Sequence, residues 1–157
     1  MTEARTPTPG FLVWRLSMKW RVAVDRAVAP LGLTHAQYSV LSSLYGMVGA
    51  GERPSQRRLA DHTGLEPIYI SKLVRALEAA GLVERTADPA DTRVMRLALT
   101  DAGTDVAERA IALVRELQDE LTAPLGGVQG GRTRNLMREL EALLAAPSPP
   151  SKTGDDQ

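Results

Sequence analysis

The segment 55–100 constrains the fold more than any other part of the chain, because two short helical patterns and a hairpin pattern follow one another there. Ser55 is a good N-cap for the first helix, and Gly64 suits the left-handed turn that ends it. Pro67 fits the first turn of the second helix, where its missing amide costs no hydrogen bond. The apolar residues of this second helix recur at i, i+3, i+4 and i+7, which predicts one buried stripe: Ile70, Leu73, Val74 and Leu77.

A β-hairpin is predicted directly after the second helix. Strands are expected at Leu82–Thr86 and Val94–Leu99, and the segment 87–92 between them is rich in turn-forming residues. Apolar residues alternate with others along the second strand, which predicts one covered face. Two helices joined by a tight turn and followed by a hairpin form a winged helix, which favours a nucleic-acid duplex as partner over a catalytic site.

Longer helices are predicted on both sides of this module. The first runs from about Phe11 to Ala29 and stops at Pro30. It is apolar around most of its circumference, which predicts burial on nearly all sides and, in so small a protein, cover by a second subunit. The other helices are expected after a Thr34–Gln37 capping box, from a Thr100 N-cap to about Leu121, and over about Thr133–Ala146.

Composition argues against several classes of function. The chain has no cysteine and only two histidines, His35 and His62, so we expect neither thiol chemistry nor a histidine-rich metal site within one subunit. The sequence has no Gly-rich phosphate loop, nucleophile elbow or carboxylate–histidine constellation, and we do not expect an enzyme. No apolar run reaches the roughly 20 residues that span a bilayer, and the start does not resemble a secretory signal, so we expect a cytoplasmic protein.

The formal net charge of zero is unusual for a DNA-binding protein. Its distribution is more favourable, because Lys and Arg outnumber the acids in residues 1–35 and 53–96, whereas acids dominate residues 97–157. We therefore expect binding to depend on a few placed contacts rather than on a broad basic face.

Four segments stand in order along the chain: LGLTHAQYSVL, RRLADHTGL, ISKLVRALEAAGLVER and DPADTRVMRLALTDAG. In this order and spacing they resemble the MarR family of bacterial transcriptional regulators, over about residues 11–146. The resemblance implies a mainly α fold, with a winged helix–turn–helix, a two-stranded wing and an α-helical dimerisation region. It also implies an obligate homodimer that binds a pseudo-palindromic double-stranded DNA operator, usually as a repressor, with no cofactor.

These predictions give a single domain between two tails. The tails are Pro-, Ser- and charge-rich without an apolar period, and we expect them to be disordered. The predicted boundaries are 1–9 and 147–157 for the tails, 10–146 for the domain, about 53–100 for the winged helix, and about 10–30 and 101–146 for the dimerisation helices.

DNA contacts are expected on three elements. At the start of the first helix of the module, amides and side chains can hold a backbone phosphate, although capping and solvation are the alternative, and we expect Gln56 or Arg57 to bind rather than both. The second helix of the module resembles the recognition helix, where Lys or Arg can pair with guanine O6/N7 or with phosphate, although solvated charges are the alternative. On the wing, Asp91 would orient Arg93 towards the minor groove; a surface ion pair worth well under ~1 kcal/mol is the alternative. Many members have two adjacent basic residues there, whereas Thr92 occupies the first position here, which implies a weaker grip. The predicted DNA-binding residues are Ser55, Gln56, Arg57, Pro67, Tyr69, Ser71, Lys72, Arg75, Asp91 and Arg93.

Many members of this family release DNA when a small aromatic or anionic effector binds between the dimerisation helices and the winged helix. Aromatic rings beside one cation and a tyrosine hydroxyl would suit a flat anionic molecule. Aromatic and Met residues at helical spacing belong more often to a core or a dimer interface. A role in the core or in the dimer interface is therefore the alternative to an effector pocket. The candidate effector residues are Trp14, Met18, Trp20, Arg21, His35 and Tyr38.

The sequence also fits a second function, a winged helix that binds another protein and has lost DNA binding. The neutral net charge and the reduced basic character of the wing favour this alternative. The two functions differ in salt dependence, because a DNA-binding protein loses affinity steeply as the salt concentration rises.

Overall fold

The computed structural model describes residues 6–147, and this part of the chain is mainly α-helical with a two-stranded wing, which confirms the predicted fold class. Most of the predicted tails, residues 1–5 and 148–157, lies outside the described residues. No helix in the described part is long and apolar enough to cross a membrane. The elements are α1 (Pro9–Val28), α2 (His35–Gly49), α3 (Gln56–Thr63), α4 (Pro67–Ala79), β1 (Val83–Ala87), β2 (Met95–Leu99), α5 (Asp101–Thr122) and α6 (Gly131–Ala145), with 3-10 turns at Ala29–Leu31 and Ala123–Leu125.

The helix α1 begins and ends earlier than the sequence predicts. Its N-cap is Thr8, whose hydroxyl oxygen accepts a hydrogen bond from the Phe11 amide at 3.3 Å, and Pro9 occupies the first turn. Its last α-helical residue is Val28, because the chain tightens there into a 3-10 turn that contains Pro30. The proline therefore lies inside this turn and does not directly follow the α-helix.

Both strands of the hairpin start one residue later than predicted. The Leu82 amide donates to the Leu77 carbonyl at 2.9 Å, so Leu82 closes the C-terminal turn of α4 and β1 starts at the next residue. The Val94 carbonyl accepts from the Asp88 amide at 2.8 Å, and the Val94 amide donates to the Asp91 carbonyl at 2.9 Å. Val94 is thus part of the turn between the strands.

The chain divides after Leu117 into two compact units, and the core of the first unit is centred on α2. The predicted capping box of α2 is present, with Thr34 and Gln37 each accepting from the other's backbone amide at 3.2 and 2.9 Å. This helix contacts α1, α3, α4 and β2. The predicted buried stripe of α4 is confirmed. The largest fully buried side chains include Val24, Val28, Leu41, Leu44, Leu59, Ile70, Val74 and Leu77.

A single chain does not bury α1 on nearly all sides, and the cover by a second subunit stays a prediction. Val24 and Val28 are buried in the core, but the N-terminal half of the helix is exposed, and Trp14 retains 60% of its accessible surface. The apolar residues of α1 with at least two fifths of their surface exposed are Phe11, Leu12, Val13, Trp14, Leu16, Met18 and Val22.

The second unit contains the end of α5, a 3-10 turn and α6. The Asp119 carboxylate accepts from the Val128 amide at 2.9 Å, and the Thr133 hydroxyl donates to the Gly127 carbonyl at 2.6 Å. The helix α6 starts at Gly131, two residues before the predicted start. Its exposed apolar residues are Leu136, Met137, Leu143 and Leu144.

Candidate nucleic-acid interface

The outward face of α4 is the first part of the candidate interface. The buried stripe fixes the rotation of this helix, because Ile70, Val74 and Leu77 are almost completely covered. A side chain about half a turn away from the stripe must point outward. Lys72 and Arg75 lie on this outward face and are exposed.

The other predicted residues of α4 lie at different depths. Pro67 is exposed at the first turn, whereas Ser71 is half-buried. Tyr69 lies towards one flank, with 42% of its surface exposed. Ile68, which is not among the residues predicted from the sequence, is 73% exposed and lies at the centre of the outward face. The spacing could have revealed it, because Ile68 is four residues before Lys72 and seven before Arg75.

The N-terminus of α3 is the second part. Ser55 is the N-cap, and its hydroxyl oxygen accepts from the Arg58 amide at 3.2 Å. The guanidinium of Arg58 pairs with Glu52 at 3.3 Å. Gln56 is half-buried and Arg57 is exposed. The first-turn amides and Arg57 form an arrangement that can hold an anion such as a phosphate.

The tip of the wing is the third part. Arg93 donates from Nε to one oxygen of Asp91 at 3.1 Å and from Nη2 to the other at 3.3 Å, and the Arg93 amide donates to the same carboxylate. The Arg93 guanidinium and then its backbone amide hold the pKa of Asp91 below its ordinary value. The Arg93 side chain is 90% exposed, so the carboxylate orients the guanidinium without covering it.

The base of the wing is joined to the start of α3, which the sequence analysis did not predict. The Leu97 amide donates to the Pro54 carbonyl at 2.9 Å, and Ser55 forms a bridge with Arg96. The Arg96 side chain donates to the Asp88 carboxylate and to the Arg53 carbonyl, at 2.5 and 3.0 Å. These bonds couple the position of the wing to the N-terminus of α3.

The cations of the winged helix divide into paired and unpaired groups. Arg58, Arg85, Arg93 and Arg96 each form a salt bridge with a carboxylate of the same chain. Within residues 6–147 no carboxylate lies within salt-bridge distance of Arg57, Lys72 or Arg75. Arg53 likewise has no carboxylate within this distance among the described residues, so an external anion can neutralise any of these four cations without breaking an internal pair.

The six candidate effector residues do not line one pocket. Trp14 and Met18 line a shallow groove of about 500 Å³, all of whose lining residues belong to α1, and none of the other four residues lines it. Trp20 and Tyr38 are half-buried and pack against the core. Within one chain the helical period turns Trp14 and Trp20 to different sides of α1, and the effector site formed by these six residues stays a prediction.

Arg21 and His35 meet at a shared acid. The Asp25 carboxylate accepts from the His35 backbone amide at 2.5 Å, and its other oxygen lies 3.9 Å from Nε of Arg21. Burial lowers the pKa of His35, against the raising effect of Asp25. Burial also raises the pKa of Tyr38, three residues further along α2. Arg21, Asp25 and His35 thus place a cation, a carboxylate and an imidazole close together, whereas the Tyr38 hydroxyl lies beside Ser42.

Sequence comparison finds one family model and several transcriptional regulators that are similar to this chain. The model of the MarR family matches residues 31–94. The uncharacterized HTH-type transcriptional regulator YdcH of Bacillus subtilis is 34% identical over 137 residues, which are 87% of this chain and 90% of the relative. The HTH-type transcriptional repressor Rv2887 of Mycobacterium tuberculosis is 34% identical over 134 residues, or 85% of this chain and 91% of that protein.

Two solved structures extend the comparison. Rv2887 in complex with salicylic acid has a TM-score of 0.66 and 31% identity, covering 89% of this chain and 98% of the other. The transcriptional repressor CouR bound to a 23-mer DNA duplex has a TM-score of 0.74 and 31% identity, covering 88% of this chain and 93% of the other.

Proposed function

Because the chain belongs to the MarR family of transcriptional regulators, we propose that it binds double-stranded DNA as a homodimer and represses transcription in the cytoplasm. The observation that carries this proposal is the outward face of α4, where Lys72 and Arg75 are exposed and have no carboxylate partner among residues 6–147. The CouR relative in complex with a DNA duplex supports it. We assign the chain no catalytic activity.

In the proposed complex, α4 of each protomer lies in a major groove, which at about 12 Å is wide enough for a helix. Lys72 and Arg75 pair with guanine edges or phosphates, and Tyr69 and Ser71 flank these contacts. Ser55, Gln56 and Arg57 hold a backbone phosphate at the start of α3. Arg93, oriented by Asp91, reaches the adjoining minor groove. The half-sites are about one helical turn apart, so the operator has the two-fold symmetry of the dimer.

The dimerisation region in this proposal consists of the helices at about 10–30 and 101–146. The exposed apolar side chains of α1 and of α6 supply the surface for it. Repression follows if the dimer occupies a promoter, because a bound protein and the polymerase compete for the same DNA.

The test is a mobility-shift titration of the purified chain against the DNA upstream of its own gene, over a range of salt concentrations. We expect the logarithm of the binding constant to fall steeply and linearly with the logarithm of the salt concentration. Lys72→Ala should weaken binding by about 1–3 kcal/mol per contact. Arg109→Ala removes an equal charge from an exposed i,i+4 pair on α5, away from the proposed DNA contacts, and is the control once sedimentation shows that the variant is still a dimer.

Absence of any shift at low salt by a folded dimer would contradict the proposal. Binding to another protein that is insensitive to salt and to Lys72→Ala would instead favour the protein-interaction alternative.

The second part of the proposal is release of DNA by a small aromatic anion. The Rv2887 relative in complex with salicylic acid supports it. Arg21 and His35, which meet at Asp25, offer a cation and an imidazole for a carboxylate or phenolate. Salicylate is the probe, and it should raise the melting temperature of the chain and weaken the DNA shift. Arg21→Ala should reduce both effects of salicylate, whereas DNA binding without salicylate should persist. A response that Arg21→Ala leaves intact would assign the effector to a different site.

A further inference from the structure

The side chain of Ile68 is an unexplained apolar feature of the outward face of α4. It retains 73% of its accessible surface, more than any other large apolar residue of the winged helix within the described residues. It belongs to the first turn of α4, directly after Pro67. Lys72 follows it at i+4 and Arg75 at i+7, so the three side chains share one face.

The stability of α4 does not explain this isoleucine. A β-branched residue has a lower helix propensity than alanine, and the exposed side chain buries little surface within the chain. Single exposed apolar residues are common on protein surfaces. Ile68 differs from these because it shares with the unpaired cations Lys72 and Arg75 the face proposed to enter the groove.

We propose that Ile68 contacts the C5-methyl group of a thymine in each half-site of the operator and thereby selects thymine at one position. This inference rests on the proposed function, because it needs α4 in the major groove. The thymine methyl group is the one apolar feature that base pairs present there, and apolar side chains are suited to contact it.

The position of Ile68 in the helix agrees with this role. The N-terminal residues of a recognition helix are the ones that reach base edges. The rise between Ile68 and Lys72 is about 6 Å, and base pairs are spaced by about 3.4 Å, so the selected thymine lies within about two base pairs of the base or phosphate that Lys72 contacts. The isoleucine side chain also has one strongly preferred χ1 rotamer in a helix, so it loses little conformational entropy when it binds DNA.

The experiment begins with selection of bound duplexes from a random-sequence library by the wild-type chain. Each thymine of the selected half-site is then replaced by deoxyuridine, which removes the methyl group and leaves the base pair intact. We expect that replacement of one particular thymine in each half-site lowers the affinity. Replacement in one half-site should lower it about fourfold, and replacement in both half-sites about 15-fold.

The variants Ile68→Ala and Ile68→Ser identify the protein partner of this methyl group. Both variants should bind the thymine operator about as weakly as the wild type binds the deoxyuridine operator. Ile68→Ser should bind the thymine and deoxyuridine operators equally well. Val48→Ala shortens another exposed β-branched residue, on α2, and should leave the sensitivity unchanged. Circular dichroism checks that each variant is folded.

The outcomes separate the two proposals. Tight, salt-sensitive DNA binding without any deoxyuridine effect, or with an effect that Ile68→Ser preserves, overturns the role of Ile68 and leaves the proposed function intact. Failure of the wild-type chain to select any duplex overturns both.

Discussion

At the scale of the residue, the charged side chains of the winged helix differ in whether a neighbour already neutralises them. Arg58, Arg85 and Arg96 are committed to internal carboxylates. Arg93 is intermediate, because Asp91 pairs with it on one side while most of its side chain faces solvent. A surface pair of this kind adds little stability, and its main effect is to fix where the guanidinium points.

We predict that Arg93→Ala raises the pKa of Asp91 towards its ordinary value, because the guanidinium is the largest cause of the depression. The depressed pKa means that the ion pair is complete at neutral pH and is lost as the pH falls through the pKa of the folded state. Carboxyl NMR titration measures the change. The pKa of Asp88, held low mainly by the Ala90 amide and then by Arg96, should move little and serves as the control. An unchanged Asp91 titration would show that the pair does not form in solution.

We predict that the free energy of unfolding decreases as the pH is lowered through the range below 6.5, in part because of His35. Burial lowers the pKa of His35, so the folded state favours the neutral imidazole and the unfolded state takes up the proton first. The stabilisation from the neutral form is complete above the unfolded pKa and is lost as the pH falls through the folded pKa. Denaturant unfolding at several pH values measures it, and His35→Gln should flatten the profile. A profile equally steep in the variant excludes His35 as a cause.

At the scale of the element, the start of α5 is fixed by a close approach of two backbones. The Thr100 hydroxyl accepts from the Gly103 amide at 2.9 Å and donates to the Gly81 carbonyl at 2.6 Å. These two hydrogen bonds bring the first turn of α5 against Leu82, the residue that precedes β1. A Cβ atom on Gly103 would lie 1.9 Å from the Leu82 carbonyl oxygen.

We predict that Gly103→Ala destabilises the protein by about 1–3 kcal/mol, because the added methyl group forces α5 and the start of β1 apart. Helix propensity alone predicts the opposite sign, a gain of about 1 kcal/mol. Gly46→Ala is the matched control, since a Cβ atom at this position of α2 meets nothing within 4 Å, and it should stabilise by about 0.5–1 kcal/mol. Urea unfolding measures the change in the free energy of unfolding for both variants. A stabilising Gly103→Ala would mean that Gly103 and Leu82 lie further apart in solution.

At the scale of the whole molecule, the amount of exposed apolar surface on α1 exceeds what scattered surface residues explain. Phe11 and Trp14 stack with ring centroids 6.2 Å apart, yet both remain about half exposed. A contiguous apolar surface of this kind marks an interaction site in a soluble protein. In the proposed function this partner is a second copy of the chain.

We predict that Trp14→Glu weakens dimerisation at least tenfold, because buried tryptophans carry a large share of the energy at interfaces. Trp14→Phe keeps an aromatic ring and should have a much smaller effect. Sedimentation equilibrium measures the dissociation constants. A wild-type chain that is monomeric at micromolar concentration would refute both the prediction and the proposed mode of DNA binding.

The sequence by itself determined the features that depend on neighbours within about one helical turn. The capping box at Thr34, the N-cap at Ser55, the left-handed Gly64 and the stripe of α4 are local, because each is set by a hydrogen bond or a period inside a short segment. Ile68 was also accessible by this logic, since its position follows from the same period.

Only the tertiary structure decided the contacts between residues far apart in sequence. Arg96 meets the Arg53 carbonyl, and Gly103 approaches Leu82. No local period specifies such contacts, because they depend on how complete elements pack against one another.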